Sequence, residues 1–249
     1  MRVPRPITAM AKPFPAGYLI PADTHPRRQL VYAVSGVMRV QTPIGVWVVP
    51  PERAVWVPPG TEHSTRMAGA VAMRTLYIRK KECARLPARC CVINISPLLR
   101  ELILRAVELP MLYEAAGPDG RVMAMIRDEL EASRALPLHL PRPADARVAR
   151  VCDALGANPA DARSLAGFGV EVGASERNLA RLFVAETGMT FAAWRTQARL
   201  IAALEQLAQG LAVARIAEAL GYDSASAFAA MFRRALGVAP REYFSRSSP

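Results

Sequence analysis

Cysteine is scarce in this 249-residue chain, with 4 residues, and so are aromatics, at 6%. Cys83, Cys90, Cys91 and Cys152 form no C-x-x-C pair, and neighbours such as Cys90 and Cys91 seldom close a comfortable bridge. That argues against a disulfide-stapled scaffold and leaves reduced, buried thiols as the expectation. The same spacing lacks the reactive and metal-binding cysteines of an alkylation-repair protein. No uncharged apolar run approaches the roughly 18–20 residues that a bilayer requires. No apolar h-region follows the charged, proline-bearing stretch from Met1 to Phe14. A cytoplasmic protein with no membrane partner is the expectation. Acidic residues are outnumbered, 21 against 32 Lys and Arg, a formal net charge of +11 that favours a polyanionic partner. Residues 161–249 hold ten basic residues against eight acidic ones, so the surplus sits almost wholly in the first 160. Charge alone therefore locates no site.

What is present changes character along the chain. Residues 1–93 are rich in Val, Pro, Gly and Trp, with short runs Leu30–Val34, Met38–Gln41 and Val46–Val49 separated at Ser35–Gly36, Pro43–Gly45 and Pro50–Pro51. β-Branched runs between turn residues predict an antiparallel sandwich or small barrel. From Ser96-Pro97 the pattern becomes helical, with Leu98, Leu99, Leu102, Ile103 and Ala106 on one face. A second amphipathic stretch, Val122 to Leu136, groups Val122, Met125, Ile126 and Leu130. Pro137, Pro141 and Pro143 then read as a linker, because such a run cannot continue a helix. Residues 94–143 form a bridge on this reading. Residues 144–249 read as helices, and the chain as a whole is α+β.

The helical part repeats itself. Ser175, Leu179, Phe183 and Gly188 recur 49 positions later as Ser224, Phe228, Phe232 and Gly237, so S-x3-[LF]-x3-F-x4-G occurs twice. Each copy opens on a helix N-cap residue and closes on a C-cap glycine. A short amphipathic helix precedes each, with Leu165, Phe168 and Val172 in one and Val213, Ile216, Ala217 and Leu220 in the other. Gly173 and Gly221 fall in the intervening turns. Short helix, tight turn and longer helix is the helix-turn-helix pattern. At about 100° per residue, Leu179, Leu182 and Phe183 share an inner face. Arg177, Arg181 and Val184 then point outward, with Asn178 at the flank. In the second copy Phe228, Met231 and Phe232 point inward, leaving Ser226, Ala230 and Arg233 outside. An ordinary bundle with solvated arginines could show one such unit; two at one spacing favour groove-reading helices. Between them, Thr190 to Gln209 reads as one long helix with Phe191, Trp194, Ala198, Ile201 and Ala208 as its stripe. If it spaces the units by one DNA turn, roughly 34 Å, one monomer meets two successive major grooves.

The strings GASERNLARLFVAETGMTFAAWRTQARL and VARIAEALGYDSASAFAAMFRRALGVAPREY resemble the AraC/XylS family of bacterial transcription regulators. The second carries that family's signature run from Ile216 through Gly221, Tyr222, Ser224, Phe228, Phe232 and Pro240 to Tyr243. The resemblance implies double-stranded DNA as partner. Base contacts would fall at Arg177 and Arg181 in the first unit and at Ser226 and Ala230 in the second, with Asn178 and Ser224 beside them. Arg233 and Arg234 would hold phosphates. Ala229 and Ala230 offer methyl groups but few hydrogen bonds, so the first unit is expected to discriminate bases more strongly.

The N-terminal string QLVYAVSGVMRVQTPIGVWVVPPERAVWVPPGTEHS resembles the compact cupin sensor domains attached to some repressors of this family. Gly17, Asp23, His25, Gln29 and Gly36 match the first cupin motif, with Asp23 in place of a histidine and Gln29 in place of a glutamate. Pro58, Gly60 and His63 match part of the second, where Met67 replaces a common asparagine. The resemblance implies that Asp23, His25, Gln29 and His63 converge in the barrel, either around a divalent transition metal or as the lining of a metal-free effector pocket. Arg27 and Arg28 read as solvated, with contact to an acidic ligand as the other reading. A small-molecule effector, repression and a homodimer built on the 94–143 helices are what the resemblance implies. A cupin oxygenase or isomerase with DNA binding attached is the competing class, and the two replaced ligands speak against it.

Overall fold

The computed structural model describes residues 3–133, 135–136 and 139–245, with side chains described for all of these except 135, 136, 244 and 245. Pro137 and Leu138, at the head of the expected linker, lie outside the described residues. The chain divides into two compact units, residues 1–42 with 47–138, and residues 43–46 with 139–249.

The first unit is an antiparallel sheet backed by two helices. Its strands are β1 (Ile7–Phe14), β2 (Leu19–Asp23), β3 (Arg28–Thr42), β4 (Gly45–Val49), β5 (Arg53–Val57), β6 (His63–Ile78) and β7 (Cys91–Asn94). The long strands β3 and β6 pair with each other, β1 and β2 add to β6, and β5 and β7 extend the sheet beyond β3. Ser35–Gly36, expected to break a strand, lies inside β3. The register shifts there on both sides of Ser35, so the pair forms a bulge and the ladder continues. Gly36 sits at φ +82°, and a Cβ on it would come within 2.3 Å of the Ala70 carbonyl, so only glycine fits this approach of the two strands.

Helix α1 (Pro97–Ala106) starts at Ser96, whose side chain accepts the Leu99 N–H, and helix α2 is Pro118–Ala132. Both bury their inner faces on the sheet, in one core that joins Leu30, Trp56, Leu76 and Ile93 to Leu99, Ile103, Met123, Ile126 and Leu130. Two expectations need correction here. The second helix ends at Ala132, because Ala135–Leu136 (β8) leaves it to pair with β7. Its inner face is set by Met123 rather than Met125, which is exposed, as is Leu98 on α1. An apolar count that includes every large residue cannot separate two neighbouring faces of one helix. Within the proline-rich stretch, His139–Pro141 forms β9 and pairs with β4, so this part of the expected linker is strand.

In the second unit helices α3 (Ala146–Ala157), α4 (Leu165–Val172), α5 (Glu176–Thr187), α6 (Phe191–Ala208), α7 (Val213–Ala219), α8 (Ala225–Leu236) and α9 (Pro240–Ser245) follow. Thr190 caps α6 by accepting the Ala193 N–H, and Gln209 ends it, as the sequence indicated. All four cysteines are free and buried. Burial pushes the Cys83 and Cys90 thiols up to about 12 and Cys91 to about 11, which keeps them protonated and unreactive at neutral pH.

Candidate nucleic-acid interface and ligand pocket

The two repeat copies fold alike. Ser175 and Ser224 stand at the N-caps of α5 and α8, each side chain accepting the N–H three residues on, from Asn178 and Ala227. Both helices end at left-handed glycines, Gly188 and Gly237. Leu179, Phe183, Phe228 and Phe232 are fully buried, while Leu182 and Met231 reach only half-burial at the edge of the same face. The first core closes on α6, with Phe183 at 5.5 Å from Phe191 and 6.4 Å from Trp194, ring centre to ring centre. The second closes on its own rings and on α9, with Phe228 at 5.8 Å and Tyr243 at 5.5 Å from Phe232.

Opposite these cores lie the side chains assigned to DNA. Arg177, Arg181, Ser226, Ala230, Arg233 and Arg234 are exposed, and Asn178 is half-buried. Asn178 Oδ1 accepts from Arg181 Nη2 at 3.0 Å, which holds that guanidinium along the helix. Ser224 is exposed but its hydroxyl oxygen is engaged as a cap. A dipolar N-terminal turn with exposed arginines can take phosphate oxygens or guanine edges.

Inside the first unit, a cavity of about 220 Å³ is walled by Met10, Phe14, Tyr18, Ile20 and Met73, with Lys12 and Asp23 also on its lining and His25, Gln29, His63, Thr65, Thr75 and Tyr77 gathered around its polar floor. Three of the four residues expected to converge are in direct contact. His25 Nε2 and His63 Nε2 each lie 2.9 Å from Gln29 Oε1, and the rings stand edge to face at 5.2 Å. Asp23 lines the cavity from an exposed position, and its Oδ1 accepts the Thr24 N–H. His25 Nδ1 faces the Arg27 carbonyl at 2.7 Å, and His63 Nδ1 the Thr61 carbonyl at 3.0 Å.

Counting protons constrains this floor. Four ring nitrogens face three oxygens, Gln29 Oε1 being shared, yet two neutral imidazoles carry two protons. Protons on both Nδ1 atoms satisfy the backbone carbonyls and leave both Nε2 lone pairs aimed at Gln29. Burial lowers the His63 pKa and favours its neutral form, the bond to the Thr61 carbonyl opposing this. With both rings neutral and protonated at Nδ1, every contact is satisfied when the Gln29 carboxamide turns its NH2 group toward them, one hydrogen for each Nε2. Its oxygen then takes the Thr75 hydroxyl, which otherwise donates to the Leu30 carbonyl at 2.9 Å. With the oxygen toward the rings, a ring makes both of its contacts as hydrogen bonds only when both its nitrogens carry protons.

The same geometry tests the metal that cupin barrels commonly carry. Nδ1–H bonds to backbone carbonyls are the usual support for ligating histidines. The donors on offer, however, are two imidazoles already bridged by a neutral amide, and no three His, Cys, Asp or Glu side chains cluster among the described residues. Asp23, on the same lining, is the one carboxylate beside them.

Arg27 and Arg28, read as solvated, are half-buried instead. Arg27 donates to the carbonyls of Tyr77, Val3 and Arg5, and Arg28 to that of Cys83 at 2.7 Å. Sequence reasoning passed over Thr75 and Tyr77, although they share the odd-numbered face of β6 with His63 and Thr65, a signal that strand alternation carries.

Comparison with known proteins agrees with this architecture. Residues 170–246 match the helix-turn-helix domain family, and residues 15–130 match the AraC-like ligand binding domain family. The chain belongs to the AraC family of helix-turn-helix transcription regulators. It is 36% identical to the HTH-type transcriptional regulator NimR of Escherichia coli (strain K12), over 91% of this chain and 82% of that protein. The HTH-type transcriptional regulator RipA of Corynebacterium diphtheriae is 35% identical over 45% of this chain and 33% of its own length. Among solved structures, ToxT from Vibrio cholerae O395 aligns over 98% of each chain at 12% identity with a TM-score of 0.42. The chain is thus a DNA-binding transcription regulator with an AraC-like ligand-binding domain. Among its described residues no helix is long and apolar enough to cross a membrane.

Proposed function

We propose that this regulator is an effector-controlled cytoplasmic repressor whose helices α5 and α8 enter two successive major grooves of one duplex. The observation that carries this reading is the matched exposure of Arg177 and Arg181 on α5 and of Ser226, Ala230 and Arg233 on α8, over cores that repeat at a fixed interval. Repression follows the resemblance of the N-terminal string to sensor domains of repressors. The effector is a compact molecule with an apolar body, held in the cavity between Met10, Phe14, Tyr18 and Met73 and meeting the His25–Gln29–His63 floor with its polar end. We read the sheet domain as metal-free and non-catalytic, because Gln29 bridges the ring nitrogens that a metal-dependent reaction would need. The domain limits 1–93, 94–143 and 144–249 are retained as functional segments: sensor, bridge and DNA reader. Leu98 on α1 and Met125 on α2, both large, apolar and exposed, support a homodimer through the bridge.

Footprinting on the DNA upstream of the protein's own gene, with and without candidate small molecules, tests the reading. It expects a protected site of two half-sites one helical turn apart, with protection lost or moved by one compound. A footprint unchanged by Arg177→Ala and Arg181→Ala would reject the assignment of the first reading helix. Turnover of a substrate with added iron or manganese would reject the non-catalytic barrel.

A further inference from the structure

The structure assigns to Arg199 the positioning of the two DNA-reading units relative to each other, an inference that rests on α5 and α8 both reading DNA. Arg199 lies half-buried on the connecting helix α6, outside both reading helices. Its Nε donates to the Pro159 carbonyl at 2.8 Å, in the segment that leads from α3 into the first unit. Its guanidinium lies 5.2 Å from the centre of the Tyr222 ring, in the turn of the second unit. Tyr222 in turn packs edge-on against Phe228, a core residue of α8, at 5.6 Å. One side chain therefore touches the approach to the first unit and the turn that aims the second.

The surroundings are tight. Gly221 sits at φ +69°, and a Cβ there would lie 3.0 Å from the Ala160 carbonyl and 3.3 Å from Arg199 Nη2. The segment 159–163 is gripped again one helical turn away, where Arg195 donates to the Arg163 carbonyl and lies 4.3 Å from the Phe191 ring centre. Arg195 reaches the first unit alone. Arg199 reaches both. A planar fork can hold a carbonyl at one edge and lie against a ring with its face, which a lysine ammonium cannot do.

The test uses the full chain and a duplex that it has itself selected from a random-sequence pool. One base pair is then inserted between the two half-sites, a rotation of about 34°. The wild-type protein is expected to lose about tenfold or more in affinity on insertion, since one reading helix must then leave its register. Arg199→Ala and Arg199→Lys are expected to weaken binding to the uninterrupted site by about tenfold. The loss on insertion should shrink to about threefold or less, while the slope of log affinity against log salt stays unchanged. Circular dichroism identifies any variant that fails to fold, and the lysine variant, which keeps the charge, decides if alanine does. A folded variant with the wild-type spacing penalty overturns the inference. So does a salt slope lower by about one, which would mark Arg199 as a phosphate contact. A wild-type protein indifferent to the inserted pair would sink the two-groove reading itself, and the inference with it.

Discussion

The two helix-turn-helix units share a skeleton and differ in nearly everything a duplex would meet. Both reading helices are capped by a serine, closed by a left-handed glycine and anchored by two fully buried apolar side chains. Outside, α5 offers two arginines with Asn178 bonded to one of them, whereas α8 offers Ser226 and Ala230 and keeps its arginines for the last turn. The repeated positions specify a shape, and the unrepeated ones specify what the shape reads. That division explains why a signature run can name the family and stay silent about the operator.

The comparison breaks first at the cores. Phe183→Ala and Phe232→Ala should each cost about 3–5 kcal/mol in chemical denaturation, because each empties a fully buried aromatic site. A cost below about 1 kcal/mol at either position would show that the two skeletons are not equivalent. Next comes the difference in reading. Arg181→Ala should relax base preference at its position by about 1–3 kcal/mol, measured on a panel of single-base operator variants. Ser226→Ala, on a helix of small side chains, should change the same panel by less than about 1 kcal/mol; the reverse order would make the second unit the discriminating one. Ser175→Ala and Ser224→Ala should lower thermal stability by about 1 kcal/mol each, since both remove a cap to the N–H three residues on. A Ser224 variant that loses far more DNA affinity than stability would show its hydroxyl serving the duplex as well. The smallest effect belongs to Arg233→Ala. Affinity should fall a few-fold for every sequence, with a salt slope lower by about one.

Much of this was legible in the sequence because it is local. A serine three residues before an N–H it can accept, a glycine where the chain must turn left-handed, and apolar residues at helical spacing are all decided within a few positions. What escaped is decided by distant partners. Ser35–Gly36 looks like a turn until β6 is known to run beside it, when the glycine becomes the only residue that clears Ala70. Met125 and Met123 are equally apolar, and only the sheet beneath α2 selects Met123. In the candidate pocket, His25, Gln29 and His63 were recognisable by motif spacing, but Thr75, which orients the carboxamide, lies 46 residues from Gln29. Arg199 escaped for the same reason: nothing in its neighbourhood along α6 announces Pro159 or Tyr222.

The alanine-rich outer surface of α8 has a consequence for how such a protein changes its target over generations. Alanine is the best helix former, so exchanging Ala227 or Ala230 for a polar residue costs the helix at most about 0.7 kcal/mol. Both side chains are exposed, so no core must be rebuilt around the newcomer. A lineage, or an engineer, could therefore redirect this regulator to a new promoter in single steps taken on its second reading helix, while the first keeps its hold on the old one.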